Sequence, residues 1–331
     1  MNIVYKEDNE GINFIDVHDI LVKAFNGRPF LGAEDIKKSF LNSQNVIYAL
    51  DDKKLIGVGR AIGDSEWSII YNIALLPEYH KLGIGKELIN RLVLQLKGKH
   101  IFVYTHPKTV SLYETLGFNR SKQAFRYVGL EDEDEINKKE EIGFYLPFGY
   151  KFEEEFYKEK KKSSINKKEA SIRYSKNLSD TSFEDILNVL EKAFGGKRDI
   201  DRLKSDFSIS QNFEFAFDGD KLVGCARLIT DGVKEAILLN VAVDPEYQGL
   251  GIASKIVHNL ALQVPGFEIF LHTHPGSTSF YNNKKEYRRY KTAFIYNDGD
   301  LVSTEIGKKF ALPVGFRYAD EFHKSEMKYK K

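Results

Sequence analysis

The strongest constraint in the sequence is that it repeats itself. IALLPEYHKLGIG, from Ile73 to Gly85, recurs as VAVDPEYQGLGIA, from Val241 to Ala253. The match extends outward through AFNGR and AFGGK, then IFVYTHP and IFLHTHP, to LPFGYKFEEEF and LPVGFRYADEF. The period, about 168 residues, is far longer than the roughly 20 to 50 residues of a solenoid unit, so each copy is expected to be a complete domain. A chain of 331 residues suits two domains of about 150 residues each. The expected boundaries are 1–156 and 171–331, joined by the lysine-rich stretch YKEKKKSSINKKEA at 157–170. That stretch reads as a solvated linker, with a nucleic-acid or membrane handle as the alternative. A duplicated domain on a short linker is expected to pack as a pseudo-dimer.

Each copy opens with apolar residues spaced three and four apart, which predicts an amphipathic helix: Phe14, Val17, Ile20, Leu21 and Phe25, then Phe183, Ile186, Leu187, Leu190 and Phe194. Two β-rich runs around DDKK or DGDK predict a hairpin. A third strand leads through Pro-Glu-Tyr into two glycines and a helix, followed by a strand, a Thr-His-Pro loop and another helix. This order predicts an α/β fold in which each domain has a mixed, mostly antiparallel sheet flanked by helices.

With 49 basic and 48 acidic side chains, the chain has no global field for nucleic acid or an anionic membrane, and neither is expected as a partner. No apolar run reaches about 18 residues, and MNIVYKEDNEG is acidic where an export signal is apolar, so a cytoplasmic protein is expected. The single cysteine, Cys225, has no partner for an internal disulfide. It stands in the hairpin at the place of Val58 and reads as a small core filler.

A glycine turn before a helix has two readings. It either joins strand to helix with no ligand, or clears space for a phosphate at the exposed N–H groups of the first turn. The stretch lacks both the GxGxxG and the GxxxxGK[ST] patterns. Gln248-Gly249-Leu250-Gly251-Ile252-Ala253, following a strand and Pro-Glu-Tyr, resembles the motif of the GNAT (GCN5-related) N-acetyltransferase superfamily. The resemblance covers nearly all of both copies. It implies tandem GNAT-like domains in which this motif cradles the pyrophosphate of acetyl-CoA, the acyl-donor cosubstrate. The implied cofactor residues are Leu75, His80, Lys81, Gly83, Gly85 and Lys86 in the first copy, and Val243, Gln248, Gly249, Gly251, Ala253 and Ser254 in the second. The first copy departs from the family at His80, where glutamine or arginine is usual. The family fold also implies that the strand before the motif splays from its neighbour to admit the pantetheine arm.

Amine acetylation needs a neutral amine, donors for the oxyanion and stabilisation of the leaving thiolate. The resemblance implies a tyrosine at the thiolate. Tyr113 lies in YETLGF, the family pattern, whereas Tyr281 lies in YNNKKEY, which lacks the Gly-Phe. A phenol of pKa about 10 loses its proton to a thiolate of about 8.5 uphill by roughly 2 kcal/mol, which favours hydrogen-bond donation over full transfer. His106 and His274 share the Thr-His-Pro position; each is either a general base or a loop histidine bonded to backbone, with ordered water removing the proton. His272 stands two residues from His274 but has no clustered carboxylate, so no metal is expected. Arg60 with Asp64, and Arg227 with Asp231, share a strand face and either border a substrate cleft or form ion pairs at strand ends. Asn72 and Asn240 either orient substrate or satisfy backbone at an irregular strand. The run KKEYRRYK, Lys284 to Lys291, either meets the cofactor's 3′-phosphate or an acidic acceptor, or is a solvated helix end. The resemblance, carried by the paired motifs and Tyr113, implies an acetyl-CoA-dependent N-acetyltransferase acting on a primary amine of a small molecule or peptide. The alternative is a non-catalytic CoA-binding scaffold with one or both copies decayed.

Overall fold

A computed structural model describes residues 1–25, 31–156, 171–296, 307–313 and 315–321. The linker expected at 157–170 lies outside the described residues. In chain order the first half forms β1 (Ile3–Lys6), α1 (Phe14–Ala24), α2 (Ala33–Leu41), β2 (Asn45–Asp51), β3 (Lys54–Gly63), β4 (Trp67–Leu75), α3 (Ile84–Gln95), β5 (His100–Tyr104), α4 (Val110–Glu114), β6 (Phe118–Arg120), β7 (Ala124–Tyr127), α5 (Glu133–Ile142) and α6 (Glu153–Phe156). The second half gives β8 (Ile172–Ser175), α7 (Phe183–Phe194), α8 (Ile200–Ser208), β9 (Asn212–Asp218), β10 (Lys221–Thr230), β11 (Glu235–Val243), α9 (Ile252–Gln263), β12 (Glu268–His272), α10 (Thr278–Asn282), β13 (Tyr287–Arg289), β14 (Ala293–Tyr296) and α11 (Gly307–Phe310).

Local chemistry accounts for these elements. α1 starts where the Asn13 side chain accepts from the Ile15 N–H, and it buries Val17, Ile20 and Leu21. α7 starts where Ser182 accepts from the Asp185 N–H, and it buries Ile186, Val189 and Leu190. Both expected hairpins form, β2 with β3 and β9 with β10. The first domain's core places Leu88, Ile89 and Leu92 of α3 with Ile47, Val58 and Ala74 of the sheet. Cys225 is fully buried, and burial pushes its thiol up to about 12, as befits a core filler.

The described residues form two seven-stranded sheets, ordered β1-β2-β3-β4-β5-β14-β6 and β13-β7-β12-β11-β10-β9-β8. Each is mixed: β4–β5 and β11–β12 are parallel, while the other pairs are antiparallel. One strand of each sheet comes from the other half of the chain. β14 of the second half fills the gap between β5 and β6, in register Ala293↔Tyr104 to Tyr296↔Ile101. β7 of the first half lies between β12 and β13, in register Ile269↔Tyr127 to His272↔Ala124. The connectors at 121–123 and 290–292 pass between the sheets, and their backbone groups are satisfied there. Ser121 N–H donates to Ala293 O at 2.8 Å, Thr105 N–H to Thr292 O at 3.1 Å, and Tyr290 N–H to Ala124 O at 2.9 Å. The sequence copies are contiguous in the chain, whereas their sheets are interleaved.

Two irregularities shape the central strands. The β3–β4 register slips between Val58 and Arg60, and the β10–β11 register slips between Cys225 and Arg227. Asn72 (φ 53°) and Asn240 (φ 55°) take left-handed backbone at these bulges, a conformation that asparagine accepts better than most residues. Beyond the bulge, the parallel pairing of β4 with β5 ends at Ile70↔Val103 although β4 continues to Leu75. Likewise β11 runs on to Val243 after its pairing with β12 ends at Ile237↔Phe270.

Candidate active site

Where the paired strands separate, each copy presents a bare helix N-terminus. A 3₁₀ turn at Pro77–Tyr79 or Pro245–Tyr247 reverses the chain, pinned by Tyr79 Oη on Asp51 Oδ2 at 3.1 Å and Tyr247 Oη on Asp218 Oδ2 at 2.8 Å. Gly83 (φ 83°) then begins α3 and Gly251 (φ 81°) begins α9, neither with a side-chain cap. A Cβ placed on either glycine meets no atom within 4 Å. The first-turn N–H groups, at Ile84, Gly85 and Lys86 and at Ile252, Ala253 and Ser254, follow these open glycines at the positive end of the helix dipole. That arrangement suits a diphosphate.

His80 resolves the departure from the family motif. Its Nε2 donates to Leu75 O at 3.1 Å, and Gln248 Nε2 donates to Val243 O at 3.1 Å. Imidazole and amide make the same contact to the last residue of β4 or β11. One position later, Lys81 takes left-handed backbone at φ 65° where Gly249 sits at φ 85°.

In front of Gly251 lies a cavity of about 470 Å³ lined by Ser254, Lys255, His258, Lys284, Tyr287 and, from the first half, Tyr127. Tyr127 Oη and His258 Nδ1 are 3.1 Å apart. Of the basic run, Lys284 thus reaches this space, whereas Arg289 and Lys291 are buried in ion pairs with Glu155 and Asp320. The first copy has Lys86 and Glu87 where the second has Ser254 and Lys255, and Glu87 accepts from Arg91 Nε at 2.8 Å.

Both tyrosines are buried. Tyr113 packs edge-on to Phe118, with centroids 5.5 Å apart, and stacks on Phe294 of the exchanged strand. Burial pushes its phenol up to about 12, opposed by a hydrogen bond with Thr105. Tyr281 packs edge-on to Tyr287 at 5.0 Å and against Phe125 of the other exchanged strand, and burial raises its pKa too. Tyr287 thus takes the place of Phe118, and the Gly-Phe missing from the second copy is replaced in space.

Family models described as acetyltransferase (GNAT) domains match residues 9–132 and residues 210–289. The chain belongs to the GNAT acetyltransferase family. It is 29% identical over 124 residues to the uncharacterized N-acetyltransferase ycf52 of Pyropia yezoensis, covering 35% of this chain and 70% of that protein. It is 32% identical over 75 residues to the chloroplastic serotonin N-acetyltransferase 2 of Oryza sativa subsp. japonica, covering 22% of this chain and 38% of that protein. Among solved structures, a tandem GNAT protein from the clavulanic acid biosynthesis pathway aligns over 89% of this chain and 98% of its own, at 13% identity and TM-score 0.48. A GCN5-related N-acetyltransferase from Sphaerobacter thermophilus aligns over 88% and 94%, at 12% identity and TM-score 0.48.

The two Thr-His-Pro histidines of this GNAT protein serve its backbone. His106 Nδ1 accepts from Lys108 N–H at 3.1 Å, and His274 Nδ1 from Gly276 N–H at 3.1 Å, each capping a 3₁₀ turn. An accepting Nδ1 puts the neutral ring's proton on Nε2, so the imidazole takes up another proton only by giving up its cap. His272 is buried against Phe102, centroids 4.0 Å apart, with Nε2 2.6 Å from Ser121 Oγ; burial holds it well below its ordinary range and therefore neutral. His272 and His274 pack on the same ring, Phe310, with centroids 5.8 Å away in each case, and among the described residues no group of three His, Cys, Asp or Glu gathers as a metal site.

The arginines face the other copy of the GNAT repeat. Arg60 donates through Nη2 to Asp231 Oδ2 at 2.8 Å and through Nε to Asn72 Oδ1 at 2.5 Å. Arg227 makes the reciprocal contacts with Asp64 and with Asn240 Oδ1, the latter at 2.5 Å. The expected partners are thus exchanged between copies: Arg60 does not meet Asp64, nor Arg227 Asp231. The other oxygen of each carboxylate accepts backbone N–H groups of its own turn, from Glu66 and Trp67 or from Val233, Lys234 and Glu235. Both arginines are 2% exposed, and Asp64 and Asp231 are 3% and 0% exposed, so these charges hold the halves together and face no open cleft.

Proposed function

We propose that this GNAT protein transfers the acetyl group of acetyl-CoA to a primary amine of a small molecule or peptide, with both copies holding the cofactor. The observation that carries the reading is the pair of uncapped, glycine-started helices, each following a strand that runs on past the end of its parallel pairing. When bound, acetyl-CoA supplies an activated thioester. The first-turn N–H groups of α3 and α9 hold its diphosphate, with Gly83, Gly85, Lys86 and their counterparts Gly251, Ala253 and Ser254 nearest. His80 and Gln248 fix the turn from behind, and Lys81 and Gly249 supply its left-handed residue.

The amine attacks as a neutral base, and its proton leaves through water, since the Nδ1 of His106 and of His274 is committed to a backbone cap. Tyr113 and Tyr281 stay protonated. With Tyr113 near pH 12, giving its proton to a thiolate of about 8.5 is uphill by about 5 kcal/mol. Each tyrosine therefore donates a hydrogen bond to the departing sulfur and does not surrender its proton. The sequence copies 1–156 and 171–331, with 157–170 between them, act as an intramolecular counterpart of a dimer in a reducing compartment such as the cytoplasm. Strand exchange and the reciprocal arginine pairs support the dimer-like packing of the halves.

The test is acetyl-CoA-dependent release of free thiol across a broad amine panel. Release with at least one amine is expected. Silence with every amine while acetyl-CoA still binds supports the scaffold alternative.

A further inference from the structure

The chain ends of the two copies, LPFGYKFEEEF and LPVGFRYADEF, are matched in sequence and crossed in space. Leu146 N–H of the first copy donates to Arg289 O of β13 at 2.9 Å, and Leu312 N–H of the second donates to Arg120 O of β6 at 2.8 Å. Each tail then places a glutamate on the buried arginine of the strand it covers. Glu155 takes Arg289 in a two-point contact, Oε2 on Nη1 at 2.9 Å and Oε1 on Nη2 at 2.7 Å. Glu321 takes Arg120 Nη1 at 2.8 Å. The second oxygen or the same carboxylate locks the tail itself: Glu155 Oε2 accepts Phe152 N–H at 3.2 Å and Glu321 Oε2 accepts Tyr318 N–H at 3.0 Å. The rings of Phe152 and Tyr318 lie 4.6 and 5.3 Å from the two guanidinia.

From these anchors each tail reaches the residue next to a tyrosine. Asn282, which follows Tyr281, donates through Nδ2 to Tyr150 O of the first copy's tail at 2.8 Å, and Arg289 Nη1 shares that oxygen at 3.2 Å. Glu114, which follows Tyr113, accepts from Arg317 of the second copy's tail and lies 3.6 Å from Arg120 Nε. α4 and α10 are single turns of five residues, too short to hold a fixed orientation by their own hydrogen bonds. Their orientation comes from what they touch.

We infer that each copy's tail is a positioning element for the tyrosine helix of the other copy, Glu321 acting on Tyr113 and Glu155 acting on Tyr281. The inference rests on the proposed role of the two tyrosines. It makes neither copy self-sufficient: the first copy's thiolate donor is aimed by residues some two hundred positions later in the chain, such as Arg317.

The test uses the full chain and two readouts. Amide exchange followed by mass spectrometry is expected to rise at 110–116 in Glu321→Ala by about tenfold over any rise at 278–284, with the pattern reversed in Glu155→Ala. For turnover, Gly251→Glu isolates the first copy and Gly83→Glu the second. In the first-copy background Glu321→Ala is expected to lower kcat about tenfold and leave KM for acetyl-CoA within about twofold, since displacing a catalytic group costs rate more than binding. Glu321→Gln, whose amide oxygen still accepts from Arg120 but whose NH2 faces the Tyr318 N–H, recovers only part of that loss. Equal exchange at both helices, or equal kcat losses in both backgrounds, overturns the inference. If the parent releases no thiol with any amine, the proposed function fails, and the exchange pattern still decides whether the tails hold the opposite helices.

Discussion

At the entrance to α3 the first copy carries His80 and Lys81; at the entrance to α9 the second carries Gln248 and Gly249. The sequences differ at both positions, yet both side chains reach the carbonyl of the residue five before them, and both following residues take left-handed backbone. What is held constant is the backbone turn in front of the helix. The same holds at the tyrosines, where Phe118 and Tyr287 supply equivalent edges from different local sequences. The copies part company in charge around the helix, with Lys86 and Glu87 against Ser254 and Lys255. They share a turn and a phenol and differ in the electrostatics that a cofactor's outer phosphate would meet.

The largest effects expected from this comparison lie at the crossed ion pairs. Arg60→Ala leaves Asp231 without its cation, and Arg227→Ala does the same to Asp64; each should cost about 3 to 5 kcal/mol because a buried charge loses its partner. Denaturant unfolding checks this, and a loss confined to one of the two variants breaks the reciprocity. Next come the tyrosines. Tyr113→Phe and Tyr281→Phe, each measured in the background that isolates its own copy, should slow thiol release about a hundredfold. Burial favours the neutral phenol, so Tyr113 contributes stability that is complete below its ordinary pKa of about 10 and is lost as pH rises to about 12. Turnover in the first-copy background should accordingly show no loss from phenol ionisation between pH 8 and 10, which a pH profile checks.

How far the chain was legible follows from which contacts are local. Helix faces, hairpins and the glycine turn were readable, because apolar spacing and turn chemistry act over a few residues. The crossing was not. Nothing in FNRSKQAFRY or YRRYKTAFIY distinguishes a hairpin that closes on itself from one whose second strand enters the other sheet, since either choice satisfies the same backbone groups. The pairing of Arg60 with Asp231 was hidden for the same reason: the repeat offers Asp64 and Asp231 as equivalent partners, and only the packing of the halves selects between them. The roles of Glu155 and Glu321 were in principle visible as a shared glutamate in the repeated tail, but their targets were not.

Smaller effects sharpen the comparison at the turn. His80→Gln should leave acetyl-CoA affinity within about threefold, because the replacement makes the bond its counterpart already makes, whereas Gln248→Ala should destabilise by about 1 kcal/mol. Smallest of all, Lys81→Gly should stabilise by up to about 1 kcal/mol by relieving left-handed strain, and Gly249→Lys should cost a similar amount. Thermal unfolding of the two variants side by side measures both.

Whether the two bare helix starts hold two cofactors is read from the stoichiometry of acetyl-CoA binding in calorimetry. The parent, Gly83→Glu and Gly251→Glu should be titrated together. Two sites are expected in the parent and one in each variant, because a carboxylate at either helix start fills the space and repels the diphosphate. No binding to the parent, or binding that survives unchanged in both variants, would contradict this expectation.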